Sequence, residues 1–378
     1  MNPTIDLLGT EDESQLRFCL SNTNVSLANG LRRTILADIP IVVFRTTPHE
    51  KNKANIQVNT GRMNNEILKQ RLSCVPIHIS DVKIPIENYQ LEIDKKNETD
   101  IMQYVTTEDF RIKDLSTGTY LSAQATKEIF PPDLFTGDYI EFSRLRPRVS
   151  DEIPGEHLKL SCKFDIGTAS EDSAFNVTSA CAYASTPDLE KQKQVWMQKE
   201  EELTRAGTSA AALTDEEIEF EKKNWYLLDA KRITIPDSFD FIIKKICPIS
   251  NRSIIVRACD IIINRMIKFQ KNLQEEQEGM IEETKTTINN CFDIIIQNEG
   301  YTLGKIIECI LYYSYYEKTN VLSYCGYQKP HPHIDMCKIR LGFKEAITDK
   351  GVVASYLINS AEAAIKIYER ISDYFTDK

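Results

Sequence analysis

The sequence predicts an α+β fold: two related strand–helix units paired within one chain of 378 residues, the first interrupted by a mostly β insertion. Three observations predict it. Residues 16–36, LRFCLSNTNVSLANGLRRTIL, repeat without a gap as residues 292–311, FDIIIQNEGYTLGKIIECIL. Each half ends in a long helix with a single apolar seam. Between the first repeat and its closing helix lies a run of short strand-like pieces separated by turns, from Tyr89 to about Val177.

In the repeat Asn22 meets Asn298, Ser26 meets Thr302, Leu27 meets Leu303 and Ala28 meets Gly304. Each copy reads as an apolar strand, a polar turn and an apolar helix. The first helix is expected over Ser26–Ile39, with Leu27, Leu31 and Ile35 on one stripe, Asn24 as cap and Pro40 as stop. Gly30 in mid-helix points to a close packing contact. Ile41–Phe44 reads as a short buried strand, residues 45–62 as a polar loop, and Asn64–Leu72 as a second helix.

Residues 188–223 carry ten acids against six bases and read as two solvated helices around a flexible Ala-Gly-Thr-Ser-Ala centre. A strand follows over Phe239–Ile246, then a helix over Ser253–Leu273. Its seam is Ile255, Cys259, Ile262, Met266, Phe269 and Leu273. The last helix, about Val352–Phe375, has the seam Val353, Leu357, Ala361, Ala364, Tyr368, Ile371 and Phe375. Gln274-Glu-Glu-Gln-Glu-Gly279 reads as a linker. The second unit then reads strand (Cys291–Gln297), helix (Thr302–Tyr313), strand (Val321–Tyr327), strand (Cys337–Phe343), helix.

These boundaries set 1–44 and 178–274 as the first unit, 45–177 as the β-rich insertion, 188–230 as a charged helical excursion, 275–287 as the linker and 288–378 as the second unit.

Composition bounds the function. The chain is 42% hydrophobic and 27% charged, and no apolar run approaches a membrane span. The acidic N-terminus lacks the apolar stretch of a secretory signal, so an intracellular location is expected. Ten cysteines without a Cys-x-x-Cys pair read as small buried hydrophobes in a reducing compartment. The net charge of −10 argues against a broad nucleic-acid surface. In Ser-Arg-Leu-Arg-Pro-Arg148, the arginines 144, 146 and 148 read as an exposed strand end rather than a nucleic-acid patch. Neither a P-loop nor a nucleophile elbow nor a His-Glu-x-x-His motif is present, and no Asp triad for Mg²⁺, so an enzyme is not expected.

Two arginines and one Cys/His group stand out. Arg32 and Arg33 are about 100° apart on their helix. They are either two solvated arginines, or at least one is held for a carboxylate on a partner. Cys325, His331, His333 and Cys337 offer zinc-type ligands at a spacing that matches no common site, so a stand-alone metal-binding protein or enzyme is the alternative reading.

The first copy, with its core Asn29-Gly-Leu-Arg-Arg33 and the pattern Asn64-Asn-Glu-Ile67, Arg71-Leu72, Pro76-Ile77, resembles the α-type subunits of cellular RNA polymerases. These are the bacterial α N-terminal domain, the archaeal D subunit and the third-largest subunit of RNA polymerase II. The second copy is similar to that family's small partner, the archaeal L or eleventh-largest subunit. It carries Glu299-Gly-Tyr-Thr-Leu-Gly304 and Tyr327-Gln-Lys-Pro-His-Pro-His333. The resemblance covers most of 15–87, 155–185, 238–273 and 288–345; Tyr301 and Lys305 depart from the small partner's usual residues.

The resemblance implies a fusion of two normally separate polymerase chains, an arrangement familiar from large cytoplasmic DNA viruses. It implies a non-catalytic assembly platform without a cofactor. Its partners would be the second-largest and largest polymerase subunits and other small subunits, with little or no nucleic-acid contact, no membrane and no homodimer. The location would be host cytoplasm or virion if viral, otherwise nucleus.

It also implies docking through Asn29, Arg32, Arg33 and Arg71. Internal pairing would run through Leu27, Leu31, Ile35, Leu303, Gly304, Ile307, Met266, Phe269, Leu357 and Ala364. The zinc loop that eukaryotic relatives carry in the insertion needs four cysteines, where this insertion has Cys74 and Cys162.

Overall fold

A computed structural model describes residues 1–9, 12, 14–150, 152–206, 214–275, 279–284 and 286–376. In chain order the elements begin with strands β1 (Thr4–Leu7) and β2 (Gln15–Ser21), helix α1 (Val25–Ala37), β3 (Ile41–Val43), β4 (Ala54–Asn59) and α2 (Asn65–Ser73). Then come β5 (Tyr89–Lys96), β6 (Gln103–Thr106), β7 (Arg111–Asp114), α3 (Ala123–Ile129), β8 (Glu141–Leu145), β9 (His157–Lys163), β10 (Asp165–Gly167) and β11 (Thr178–Pro187). Helices α4 (Leu189–Ala206) and α5 (Asp215–Leu227) lead to β12 (Thr234–Lys245) and α6 (Asn251–Gln274). The chain continues with β13 (Ile281–Glu283), β14 (Cys291–Gln297), α7 (Tyr301–Leu311), β15 (Leu322–Gln328), β16 (Met336–Phe343) and α8 (Lys350–Thr376).

Contacts divide the chain into two compact units. One comprises residues 1–34, 180–244 and 251–378; the other comprises 35–179 and 245–250, against the 45–177 read for the insertion.

The first unit holds two four-stranded antiparallel sheets of one design. Their orders are β1-β2-β12-β11 and β13-β14-β16-β15. In each, an edge strand precedes the strand that feeds the first helix, and the last strand before the closing helix pairs beside it. Alternation puts Leu16, Phe18 and Leu20 opposite Ile243, Phe241 and Phe239 in the first sheet. In the second, Phe292, Ile294 and Ile296 stand opposite Leu341, Ile339 and Cys337. All twelve of these side chains are buried.

The alignment that sets Phe241 on Ile339 also carries α6 onto α8, Ile255 on Val353 and Met266 on Ala364. Every seam residue named above is buried. The two helices pack on each other antiparallel: the Gln270 amide donates to the Ile358 carbonyl at 3.0 Å, and Tyr368 stands beside Cys259.

The second unit is built on the sheet β4-β9-β5-β7, with the two-stranded pairs β6-β8 and β10-β3 beside it. Its largely aliphatic core encloses a group of phenylalanines: Phe110 meets Phe130 and Phe142 edge-on at 5.2 and 5.9 Å, and Phe44 lies 5.0 Å from Phe164. Arg45 is buried and fully engaged, on Asp165 at 2.6 Å and on Glu171 at 3.0 Å. Gly155 is required where it stands, because a Cβ there would lie 1.8 Å from the Asn97 carbonyl oxygen.

Three expectations change. The stretch 45–62 is not all loop: Ala54–Asn59 pairs with β9. Part of the linker, Ile281–Glu283, is an edge strand on β14; residues 276–278 lie outside the described residues. The excursion is not simply two solvated helices. Trp196 and Trp225, the chain's two tryptophans, are buried against each other at 5.6 Å with Ala230. Its expected flexible centre falls almost wholly on 207–213, outside the described residues. The excursion joins β11 to β12, the place where seven residues, 329–335, join β15 to β16.

Candidate functional site

The two copies of the repeat meet in the first unit. Their turns match in conformation as well as in sequence: Asn22 and Asn298 are both left-handed, at φ 58° and 56°. Asparagine tolerates that region because its short polar side chain bonds locally. Asn24 then caps α1, its side chain accepting from the Ser26 amide at 2.9 Å. Gly300 takes the cap position of α7.

Gly30 is where the helices approach. A Cβ there would stand 2.7 Å from Ile306 Cδ1 and 2.9 Å from the Tyr368 hydroxyl. Ile306 is the residue that the ungapped alignment sets on Gly30. A residue touching its own counterpart marks a twofold axis, since only there does a position meet itself. Flanking contacts obey the same symmetry. Arg33 Nε donates to the Thr302 hydroxyl at 3.0 Å, and in the mirrored place Cys309 bonds Ser26. Within the helices, Arg32 donates to Asn29 Oδ1 at 3.0 and 2.9 Å, while its counterpart Glu308 pairs with Lys305 at 2.7 Å.

Tyr368 of α8 ties the assembly together. Fully buried, it donates to the Leu27 carbonyl at 2.9 Å, and burial pushes its hydroxyl well above the usual phenol range. Phe375, near the end of α8, meets Phe18 edge-on at 5.3 Å, while Phe18 stacks on Phe241 at 5.0 Å.

Of the residues expected to pair internally, Leu27, Leu31, Leu303, Ile307, Met266, Phe269, Leu357 and Ala364 are buried in this unit. Ile35 is buried but falls in the other unit. Gly304 serves a different contact: a Cβ there would meet Tyr327 at 2.2 Å, inside its own copy. Ile306 and Tyr368 were not singled out for the pairing. Position 306 was findable, because the alignment sets it on the suspicious Gly30.

The expected docking residues separate. Asn29 and Arg32 satisfy each other on α1, and Arg33 reaches α7. Arg71 lies in the second unit, donating to the carbonyls of Phe142 at 2.9 Å and Glu141 at 2.6 Å. Arg144 pairs with Glu141 at 2.6 Å and lies over Tyr104, and Arg146 pairs with Glu156.

The two mirrored faces differ chemically. One carries Arg32 and Arg33. The other is a cleft of about 870 Å³ lined by Asp237, Glu308, Glu317 and Tyr313. Tyr312–Lys318 forms a π-helix that extends α7 along it.

The Cys/His group does not converge. Cys325 stands opposite Leu341 on β16, four residues from Cys337, so about 13 Å of strand separates the cysteines. Burial pushes the Cys325 thiol up to about 12 and that of Cys337 up to about 11, as for small buried hydrophobes. Among the described residues no three His, Cys, Asp or Glu side chains gather to hold a metal. Nor, among them, is any helix long and apolar enough to cross a membrane.

Comparison with known proteins gives this geometry a context. The family model for the RNA polymerase Rpb3/Rpb11 dimerisation domain matches residues 17–266. The chain is 25% identical over 183 residues to the DNA-directed RNA polymerase II subunit RPB3 of Schizosaccharomyces pombe, covering 46% of this chain and 57% of the relative. It is 23% identical over 193 residues to the DNA-directed RNA polymerase subunit Rpo3 of Methanosarcina mazei, covering 50% and 62%. It is 25% identical over 209 residues to the human DNA-directed RNA polymerases I and III subunit RPAC1, covering 51% and 58%. The chain thus spans less than two-thirds of the length of these relatives, and the family match ends before the second copy begins.

Proposed function

The chain belongs to the RNA polymerase Rpb3/Rpb11 dimerisation-domain family, and on that premise we propose that it is a non-catalytic assembly platform of a multisubunit DNA-directed RNA polymerase, with both halves of the family's pair fused in tandem. The observation that carries the fusion is Gly30 packed on Ile306, its own counterpart. Separate α-type and small-partner chains would meet at such an axis by diffusion. A tether makes the meeting intramolecular, fixes the ratio at one to one and raises the effective concentration to roughly millimolar.

The platform docks the second-largest and then the largest polymerase subunit, and other small subunits join them. The different chemistry of its two faces, arginines on one and carboxylates on the other, suits two different partners. Nucleic-acid contact is minor, in line with the charge of −10. The fused arrangement fits an intracellular protein of a large DNA virus, working in the host cytoplasm or packaged in the virion.

Co-expression with the two large subunits tests the reading. Recovery of a stable complex supports it. Absence of any complex, with the chain itself folded, overturns it.

A further inference from the structure

We propose that residues 133–138 of the second unit form a preorganised apolar finger that enters an apolar pocket with a cationic rim on another polymerase subunit; this rests on the assembly reading above. Leu134 and Phe135 are adjacent and are 91% and 97% exposed. Single exposed apolar residues are ordinary. Two large neighbours thrown almost wholly into water from a pinned turn are not, because a slack loop would fold them back onto the surface.

The turn is pinned. Asp133 Oδ1 accepts from the Phe135 and Thr136 amides at 2.9 Å each, and the Asp133 carbonyl accepts from Gly137 at 2.9 Å. The Asp133 amide donates to the Asp138 carbonyl at 2.9 Å, and Gly137 supplies the left-handed residue, at φ 75°. Pro131 and Pro132 stiffen the approach. Such a tip has already lost the conformational entropy that binding would otherwise cost.

A groove follows the tip. Tyr139, two residues after Gly137, lines a cavity of about 620 Å³ whose aromatic members, Phe110, Tyr120 and Phe130, are mixed with Glu108, Arg111 and Lys127. A knob beside a groove is the pattern of an interface core, with an aromatic anchor filling a partner's pocket.

Charge identifies the partner's rim. Counting the groove beside it, Glu108, Glu128, Asp133 and Asp138 stand against Arg111 and Lys127 in and next to the tip, an acidic excess of two, and Glu141 is matched by Arg144. The uncancelled carboxylates repel nucleic acid and anionic membrane and favour a protein pocket edged by Lys or Arg.

The test is co-expression of the full chain with the large subunits. The variant Leu134→Ser/Phe135→Ser touches nothing buried, so the free chain keeps its melting temperature. Recovery of the complex after a high-salt wash falls at least about tenfold. Asp138→Lys weakens recovery at low salt, and the difference from wild type vanishes at high salt. Equal recovery of wild type and the double variant overturns the finger alone. Failure of the wild type to form any complex overturns the assembly reading and the finger with it. A self-association of the free chain that the double variant abolishes assigns the finger to a second copy and overturns the partner named here.

Discussion

Gly30 packs on Ile306 with no room for even one more carbon between them, and the alignment of the repeat makes the two residues equivalents. A single contact therefore fixes where the twofold relation between the copies runs. It also explains the glycine: two helices crossing at an axis need a small residue on at least one side.

Gly30→Leu is expected to destabilise the chain by about 1–3 kcal/mol through overpacking. Gly30→Ala is expected to cost less than Gly30→Leu but still to destabilise. The helix gains about 1 kcal/mol from alanine. Its Cβ, however, would lie 2.7 Å from Ile306 Cδ1 and 2.9 Å from the Tyr368 hydroxyl, both buried, and Tyr368 is held by its bond to Leu27. Adding Ile306→Ala to Gly30→Leu should recover more than half of the loss. Urea melts of the single and double variants check this, and independent costs that simply add would refute the contact.

Tyr368→Phe removes the bond to the Leu27 carbonyl while keeping the ring, so a loss of about 1 kcal/mol is expected. Tyr368→Ala also empties a fully buried site and should cost about 3–5 kcal/mol, enough to open the head-to-tail pairing. Limited proteolysis between residues 275 and 287 reads that opening, since a paired chain keeps its two halves together after nicking.

Internal pairing predicts a monomer near 43 kDa at micromolar concentration. A mass near twice that value, falling on dilution, would place the pairing between chains. Arg32→Glu is expected to leave that mass and the melting temperature unchanged while preventing co-purification with the large subunits. Arg33→Glu should also cost some stability, because Arg33 bonds Thr302 across the pair.

Much of the pairing core was legible because it is periodic. Steps of three and four on α6 and α8 mark a helix that meets another helix, and the repeat located both strand–helix pairs. The strand Ala54–Asn59 was hidden because its alternation, Asn-Ile-Gln-Val-Asn, is too polar to stand out from the loop around it. The small core of the excursion was swamped by charge: two tryptophans among so many acids and lysines look solvated until the helices fold back on each other. The bond from Arg33 to Thr302 is not legible in the sequence, because nothing in a helix's own residues says which other helix start comes beside it. Gly304 illustrates the converse: a small residue announces a close approach but not the identity of the neighbour, here Tyr327.

Trp196 and Trp225 being the chain's two tryptophans, indole emission reports the α4–α5 excursion alone. Trp225→Ala should unfold the excursion and red-shift the remaining emission while the far-ultraviolet melt of the rest stays within a few degrees. Replacing residues 188–233 with the short connection used between β15 and β16 should likewise leave a folded monomer. Collapse of the whole chain on either change would mean that the excursion is part of the main core.

Asp293 supplies the acid-limb prediction. It is buried on β14, bonded to Arg340 at 2.6 and 2.8 Å and to Lys338 at 2.9 Å. Arg340 first and Lys338 next hold its carboxyl at about 2, below the ordinary 3.8, although burial alone would raise it. A depressed folded-state pKa means that the stabilisation is fully present above about pH 4 and is lost as pH falls toward 2. The two cations are partly exposed, so the contribution is on the order of 1–2 kcal/mol. Asp293→Asn should therefore lower stability at pH 7 and flatten the fall between pH 5 and 2, as measured by urea melts across that range. An unchanged slope in the variant would show that other carboxylates govern the acid unfolding and that the triad on the second sheet contributes little.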